Sequence, residues 1–170
     1  MSLIQQTDPD WEAIIIGDGC EITNKIPDSR ISYIEVPKQS GGAGIVRNIG
    51  LEQTITSWTA FVDDDDFLKD TYVERIKYYA PSYDLIQFSY RDVETGRIQP
   101  PHYLNHLVEC DMGISFAVNT LFMLQHEIRF TPGGVEDYRF LRDCLSAGAR
   151  YCINHEVLYL VGHRSAWGTN

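Results

Sequence analysis

Basic residues are scarce: 14 Lys and Arg stand against 24 Asp and Glu, for a formal net charge of −10. That balance argues against nonspecific nucleic-acid binding, and no stripe of Lys and Arg interleaved with aromatics is present. Long apolar runs are missing too. No stretch reaches the roughly 18 apolar residues of a membrane span, and the opening MSLIQQTDPDWE holds neither a basic n-region nor a long apolar core. Neither a spanning helix nor a secretory leader is therefore expected. Cys20, Cys110, Cys144 and Cys152 lack paired motif spacing and point to a reducing compartment. Both standard nucleotide motifs fail. Arg47 stands where a dinucleotide fingerprint beginning at Gly42 and Gly44 wants its third glycine, and no Gly-Lys-Ser/Thr ending occurs. No internal repeat or low-complexity segment appears.

What is present centres on SWTAFVDDDDFLKD, residues 57–70. Residues of β propensity or small size run from Trp58 to Val62 straight into Asp63, Asp64, Asp65 and Asp66. This reads as a buried strand whose C-terminal end opens into a cleft. Adjacent carboxylates repel one another, so the cluster needs water or a cation, and Mg²⁺ or Mn²⁺ suits carboxylate oxygens. A strand persisting through the run would point Asp63 and Asp65 the same way, with Asp65 as the principal metal ligand. Asp64 and Asp66 are secondary candidates, because a turn inside the run swaps the faces.

The chain is long enough, at 170 residues, for one domain with a real core. WEAIIIGDGC (11–20) reads as a strand ending in an acidic turn, where Asp18 either meets a ligand or hydrogen-bonds its own turn. ISYIEVP (31–37) is a second strand. Residues 38–56 run from a glycine-rich turn into a helix, and Ala43, Val46, Ile49 and Gly50 give it a compact face beside Arg47 and Asn48. Arg47 suits either a phosphate or a surface carboxylate. Thr71 and Glu74 fit a capping box for a helix that Pro81 stops. Strands are expected at 84–90, 113–120 and within 150–161, and a turn at 92–97 centres on Gly96. Residues 98–112 form a long connection, in which His102 and His106 read as ordinary histidines rather than metal ligands. Glu136 and Asp137 open a helix that Gly148 ends, and capping alone would explain both acids. The expected class is α/β: a single domain with a mixed sheet and flanking helices, polar ends converging on one edge.

Five ordered blocks, WEAIIIGDGC, GGAGIVRNIGL, FVDDDDF, GGVEDYRFLRDCLSAG and YLVGHRSAWGT, resemble the family-2 glycosyltransferases of the GT-A fold. The resemblance implies metal-dependent, inverting transfer of a sugar from a nucleotide diphosphate sugar, most often UDP-linked, to an acceptor hydroxyl. It implies a hexosyltransferase type of enzyme using Mn²⁺ or Mg²⁺. It places Asp18 at the base, Arg47 near base and phosphate, Asp63 towards ribose, Asp65 on the metal and His163 near the diphosphate or metal. Asp137, second of the Glu-Asp pair, would be the catalytic base. It divides the domain into a nucleotide-binding part, 1–90, and an acceptor and catalytic part, 91–170. The sequence departs from the family pattern at Gly17, Cys20 and Val161, which replace an acid, a serine and an arginine.

SLIQQTDPDWE matches the end of the family's first helix, and the strand preceding that helix has no counterpart. Two arrangements are then expected: strands near 13–16 and 58–62 lying side by side, or self-association through an exposed sheet edge. The same gap motivates an alternative reading, a noncatalytic nucleotide-sugar-binding or interaction domain. A nucleotidyltransferase is a weaker alternative, since no glycine-rich loop ending in a basic residue opens the chain. The expected location is the cytoplasm, including the cytoplasmic membrane face.

Overall fold

The computed structural model describes residues 2–39, 41–109 and 113–162. A 3-10 turn at Ser2–Gln5 leads into β1 (Ala13–Asp18), β2 (Ile31–Val36), α1 (Ala43–Gln53), β3 (Trp58–Ala60) and β4 (Phe67–Leu68). Then come α2 (Tyr72–Tyr79), β5 (Leu85–Asp92), β6 (Ile98–Gln99), β7 (Phe116–Asn119), α3 (Thr120–Gln125), α4 (Glu136–Ser146) and β8 (Tyr151–Val161). The α/β class and the mixed sheet match the reading of the sequence. No helix among the described residues is long and apolar enough to cross a membrane.

The strands divide between two sheets. β1 and β2 form a parallel pair in unbroken register from Ala13↔Ile31 to Asp18↔Val36. The larger sheet has the order β3-β7-β5-β8-β4, with β6 joined to β5. β5 runs parallel to β8 and antiparallel to β7. Strands 13–16 and 58–62 are therefore not neighbours, contrary to the first expected arrangement. β3 is only three residues long and its ladder is made with β7, while β1 pairs with β2. The split has a visible consequence for burial. Leu85, Ile86 and Phe88 on β5 are fully buried, whereas the equally apolar Ile14, Ile15 and Ile16 on β1 are only half-buried.

Two local expectations change. Thr71 makes no side-chain cap on α2, so the capping box does not form. The N-terminal turn replaces it: Gln6 accepts from the Val73 N–H at 3.0 Å and donates to the Lys69 carbonyl at 2.8 Å. The strand foreseen at 113–120 is confined to Phe116–Asn119, because the Asn119 side chain accepts from the Phe122 N–H at 3.2 Å and starts α3. The C-terminus of α4 behaves as anticipated, with Gly148 at φ 90° donating to the Leu145 carbonyl.

An aromatic cluster ties the end of β3 to the start of α4. Phe61 meets Phe130 edge-on with centroids 5.0 Å apart and also touches Phe116 and Phe140. Phe130 stacks on Phe140 at 4.4 Å. Phe61 lies two residues before Asp63, and Phe140 lies about one helical turn after Asp137. Burying these rings therefore brings the two acidic segments together, at about 25 cal/mol per Å² of apolar surface removed from water.

Candidate active site

Arg47 stands at the centre. Its Nη2 donates to Asp63 Oδ1 at 2.7 Å, and its Nη1 to Glu136 Oε1 at 2.8 Å and Asp137 Oδ1 at 3.1 Å. Its side chain is 11% exposed, and the guanidinium lies 5.4 Å from the Phe130 centroid. Burial works against the charge, but the three carboxylates outweigh it and hold the guanidinium above its ordinary pKa. Neighbouring Asn48 grips the Phe130 backbone twice, donating to the carbonyl and accepting from the N–H, each at 2.9 Å. α1 comes close because Gly44 has no side chain; a Cβ there would meet Glu136 Oε2 at 2.8 Å and Phe130 Cβ at 2.9 Å.

Glu136 and Asp137 open α4 after Val135, which takes φ 56° and makes no side-chain cap. Both stand in the first turn of the helix and both also ion-pair with Arg47, a contact that their place at the helix start does not by itself explain. Burial pushes the Asp137 carboxyl up to about 6. Arg47 opposes that rise, while the negative charges of Glu136 and Asp63 add to it.

The acidic run turns rather than continuing as a strand. β3 ends at Ala60, and the Asp66 N–H donates to the Asp63 carbonyl at 3.1 Å. The turn removes the period-two alignment of Asp63 with Asp65 and presents Asp63 and Asp66 to a common cavity. Tyr159 Oη donates to Asp66 Oδ2 at 2.6 Å, and the Gly162 N–H donates to Oδ1 at 2.8 Å. Burial raises the Asp66 carboxyl against these hydrogen bonds, and the charges of Asp63 and Asp65 raise it further. The role of Tyr159 had no sequence signal, since a buried strand tyrosine reads as packing.

Asp63, Asp66 and Asp137 line a cavity of about 360 Å³, along with residues of the β5–β6 hairpin, Ile114 and Val161. Of the residues singled out in the sequence, the fold joins Arg47, Asp63 and Asp137. Asp18 is placed apart, at the end of β1, where Lys38 Nζ and the Gln39 N–H each hold its carboxylate at 2.6 Å and lower its pKa, the lysine contact most strongly. Asp65 lies half-buried in the turn, and His163 lies outside the described residues. Among the described residues, no three His, Cys, Asp or Glu side chains converge as a metal cage. His102 and His106 are exposed, and Cys20, Cys144 and Cys152 are free thiols.

Residues 1–139 match Glycosyl transferase family 2. The chain belongs to glycosyl transferase family 2. This family-2 chain is 29% identical to an uncharacterized glycosyltransferase of Haemophilus influenzae over 179 aligned positions, covering 94% of the chain and 68% of that relative. It is also 34% identical to glycosyltransferase GlyA of Streptococcus pneumoniae over 82 positions, covering 44% of the chain and 12% of that protein. Among solved structures, S. aureus TarS 1-349 in complex with UDP-GlcNAc superposes with a TM-score of 0.80 at 19% identity, over 96% of this chain and 53% of that one. At such low identity the likeness is one of fold. The family-2 chain spans about half the length of that TarS structure.

Proposed function

We propose that the chain transfers a glycosyl group from a nucleotide diphosphate sugar to an acceptor hydroxyl, with inversion at the anomeric carbon. The observation that carries this reading is a raised carboxyl, Asp137 at about 6, in one cavity with the turn acids Asp63 and Asp66. A carboxylate of that basicity is suited to remove a hydroxyl proton near neutral pH. Asp137 takes the acceptor proton as the acceptor oxygen bonds to the anomeric carbon. The bond from that carbon to the diphosphate oxygen breaks, and the nucleoside diphosphate leaves with the bonding pair. Arg47 holds Asp137 and Asp63 in fixed relation, and Asp18 is proposed to meet the base. Residues 1–90 would thus serve the donor and 91–170 the acceptor. UDP-linked donors, of the kind bound by TarS 1-349, are the first to test.

The crowded oxygen donors of the turn suit a hard divalent cation, and the like charge around Asp66 is what such a cation relieves. Asp65 is the proposed ligand for Mn²⁺ or Mg²⁺, and His163, outside the described residues, is a second candidate ligand from the family resemblance. A cation shared with phosphate oxygens needs no closed protein cage. When bound, it would neutralise charge on the leaving diphosphate.

Release of UDP from UDP-sugars, measured with and without acceptor, tests the reading. Asp137→Asn should lower transfer by roughly 10²–10⁴-fold with donor affinity nearly constant. A variant retaining a third or more of the rate would remove Asp137 from the role. The split between the two sheets supports a second reading, donor binding without turnover, and tight UDP binding with no transfer across a broad acceptor panel would select it. The edges of β1 and β3 left open among the described residues are the proposed route to self-association, and a monomer by light scattering at every concentration would rule that out.

A further inference from the structure

The cavity holding Asp63, Asp66 and Asp137 has a second wall that the transfer step leaves unused. It comes from the β5–β6 hairpin through Tyr90, Asp92, Thr95, Arg97 and Gln99. Tyr90 and Gln99 are cross-strand partners, and Tyr90 Oη donates to Gln99 Oε1 at 2.6 Å. Gly113 lets the tyrosine ring come close to its backbone; a Cβ there would meet Tyr90 Cε1 at 3.1 Å. The hairpin tip is equally well defined. Asp92 Oδ1 accepts from the Glu94 N–H at 3.0 Å and the Thr95 N–H at 2.8 Å, and Gly96 turns the chain at φ 71°.

An aromatic ring, an amide, a hydroxyl and a guanidinium on a shaped wall make a chemistry suited to a pyranose. The C–H face of a sugar rests on an aromatic ring, while planar polar groups meet neighbouring hydroxyls two at a time. Charge narrows the choice. Among the described residues, even with Arg47 counted beside its partners, the carboxylates Asp63, Asp66, Asp92, Glu136 and Asp137 outnumber the guanidiniums Arg47 and Arg97. An acceptor bearing a carboxylate or phosphate of its own, without the cation proposed to accompany the donor diphosphate, would enter against that field.

We propose that Tyr90, Thr95, Arg97 and Gln99 form the acceptor subsite, and that it takes an uncharged pyranoside. The proposal rests on the transferase reading, in which Asp137 marks where the acceptor hydroxyl arrives. Arg97 and Thr95 meet acceptor hydroxyls at the exposed tip, and Tyr90 supplies the ring.

Saturation-transfer NMR on the full chain tests this without needing turnover. The probes are methyl glucopyranoside, methyl galactopyranoside and methyl mannopyranoside, set beside methyl glucuronide and glucose 6-phosphate. UDP affinity is measured separately by calorimetry. At least one neutral glycoside should bind, and more tightly than either anionic probe. Arg97→Gln, at an exposed position, and Tyr90→Leu, which removes the ring, should each weaken that binding by about fivefold, the worth of one hydrogen bond or one aromatic contact, with UDP affinity within twofold of wild type. Tighter binding of an anionic probe, no binding of any neutral glycoside, or binding indifferent to both variants would overturn the proposal. Neutral glycoside binding that tracks the variants in a protein with no affinity for UDP would overturn the transferase reading and leave the sugar subsite standing.

Discussion

Arg47 Nη1 lies 3.1 Å from Asp137 Oδ1, a contact between residues ninety positions apart. The same guanidinium reaches Asp63 through its other nitrogen, at 2.7 Å. One part-buried cation thus ties the turn after β3 to the first turn of α4.

Replacing that cation should be costly. Arg47→Gln leaves Asp63, Glu136 and Asp137 close together without compensation; with Asp63 44% exposed the cost should fall below the roughly 3–5 kcal/mol of a fully buried pair. Arg47→Lys should recover little, since an ammonium lacks the fork that reaches both sides. Urea denaturation measures both variants. A loss below about 1 kcal/mol, the range of a surface pair, would show that the three contacts do not act as a unit.

Transfer should depend on pH through Asp137. The proposed base works only when ionised, so the rate should rise with pH through about 6 and level off above it. Stability runs the other way. The folded carboxyl holds its proton more tightly than the unfolded one, so its favourable contribution is complete below the ordinary value of 3.8 and is lost as pH rises through about 6. Asp137→Asn should therefore gain stability at pH 7, by up to about 3 kcal/mol at 1.36 kcal/mol per pKa unit, and the gain should vanish below about pH 4. Thermal melts across this range check the sign, and a variant that loses stability relative to wild type as the pH is raised would contradict it.

Gly44→Ala should damage the site from outside it. The added methyl meets Glu136 Oε2 and the Phe130 Cβ; the glutamate can swing away, but either α1 or the segment carrying Phe130 must move. The expected cost is about 1–3 kcal/mol, with transfer reduced alongside it. Gly134→Ala, where a Cβ meets nothing within 4 Å, is the matched control and should be nearly neutral. Equal behaviour of the two variants would refute the packing argument.

Donor binding should separate Asp65 from Asp66. Asp65→Asn should weaken Mn²⁺-dependent UDP binding with little change in stability, as expected of a ligand. Tyr159→Phe removes the hydroxyl that donates to Asp66 and should lower stability by roughly 1.5–3 kcal/mol, the worth of a hydrogen bond to a charged group. Calorimetry with and without metal reads the first effect and denaturation the second. Unchanged metal dependence in Asp65→Asn would remove Asp65 from the proposed metal site.

The sequence alone determined the elements whose signals are local. Apolar runs ending in acids marked β1 and the strand before Asp63, and Gly148 marked the end of α4 through its need for positive φ. Order also sufficed for the family, because five spaced blocks carry information that no single block does. Tertiary structure decided how those pieces meet. Whether Asp63 pairs with Asp65 or Asp66 depended on a turn that four identical residues cannot announce. Gln6 replaced Thr71 at the start of α2 because the N-terminal turn docks there, a contact between residues 67 positions apart. Arg47 was legible as a placed arginine, yet its three carboxylates came from segments up to ninety positions away, gathered by the packing of Phe61, Phe130 and Phe140. The raised pKa of Asp137 is likewise a property of burial among those segments, because desolvation depends on which surfaces the folded chain removes from water.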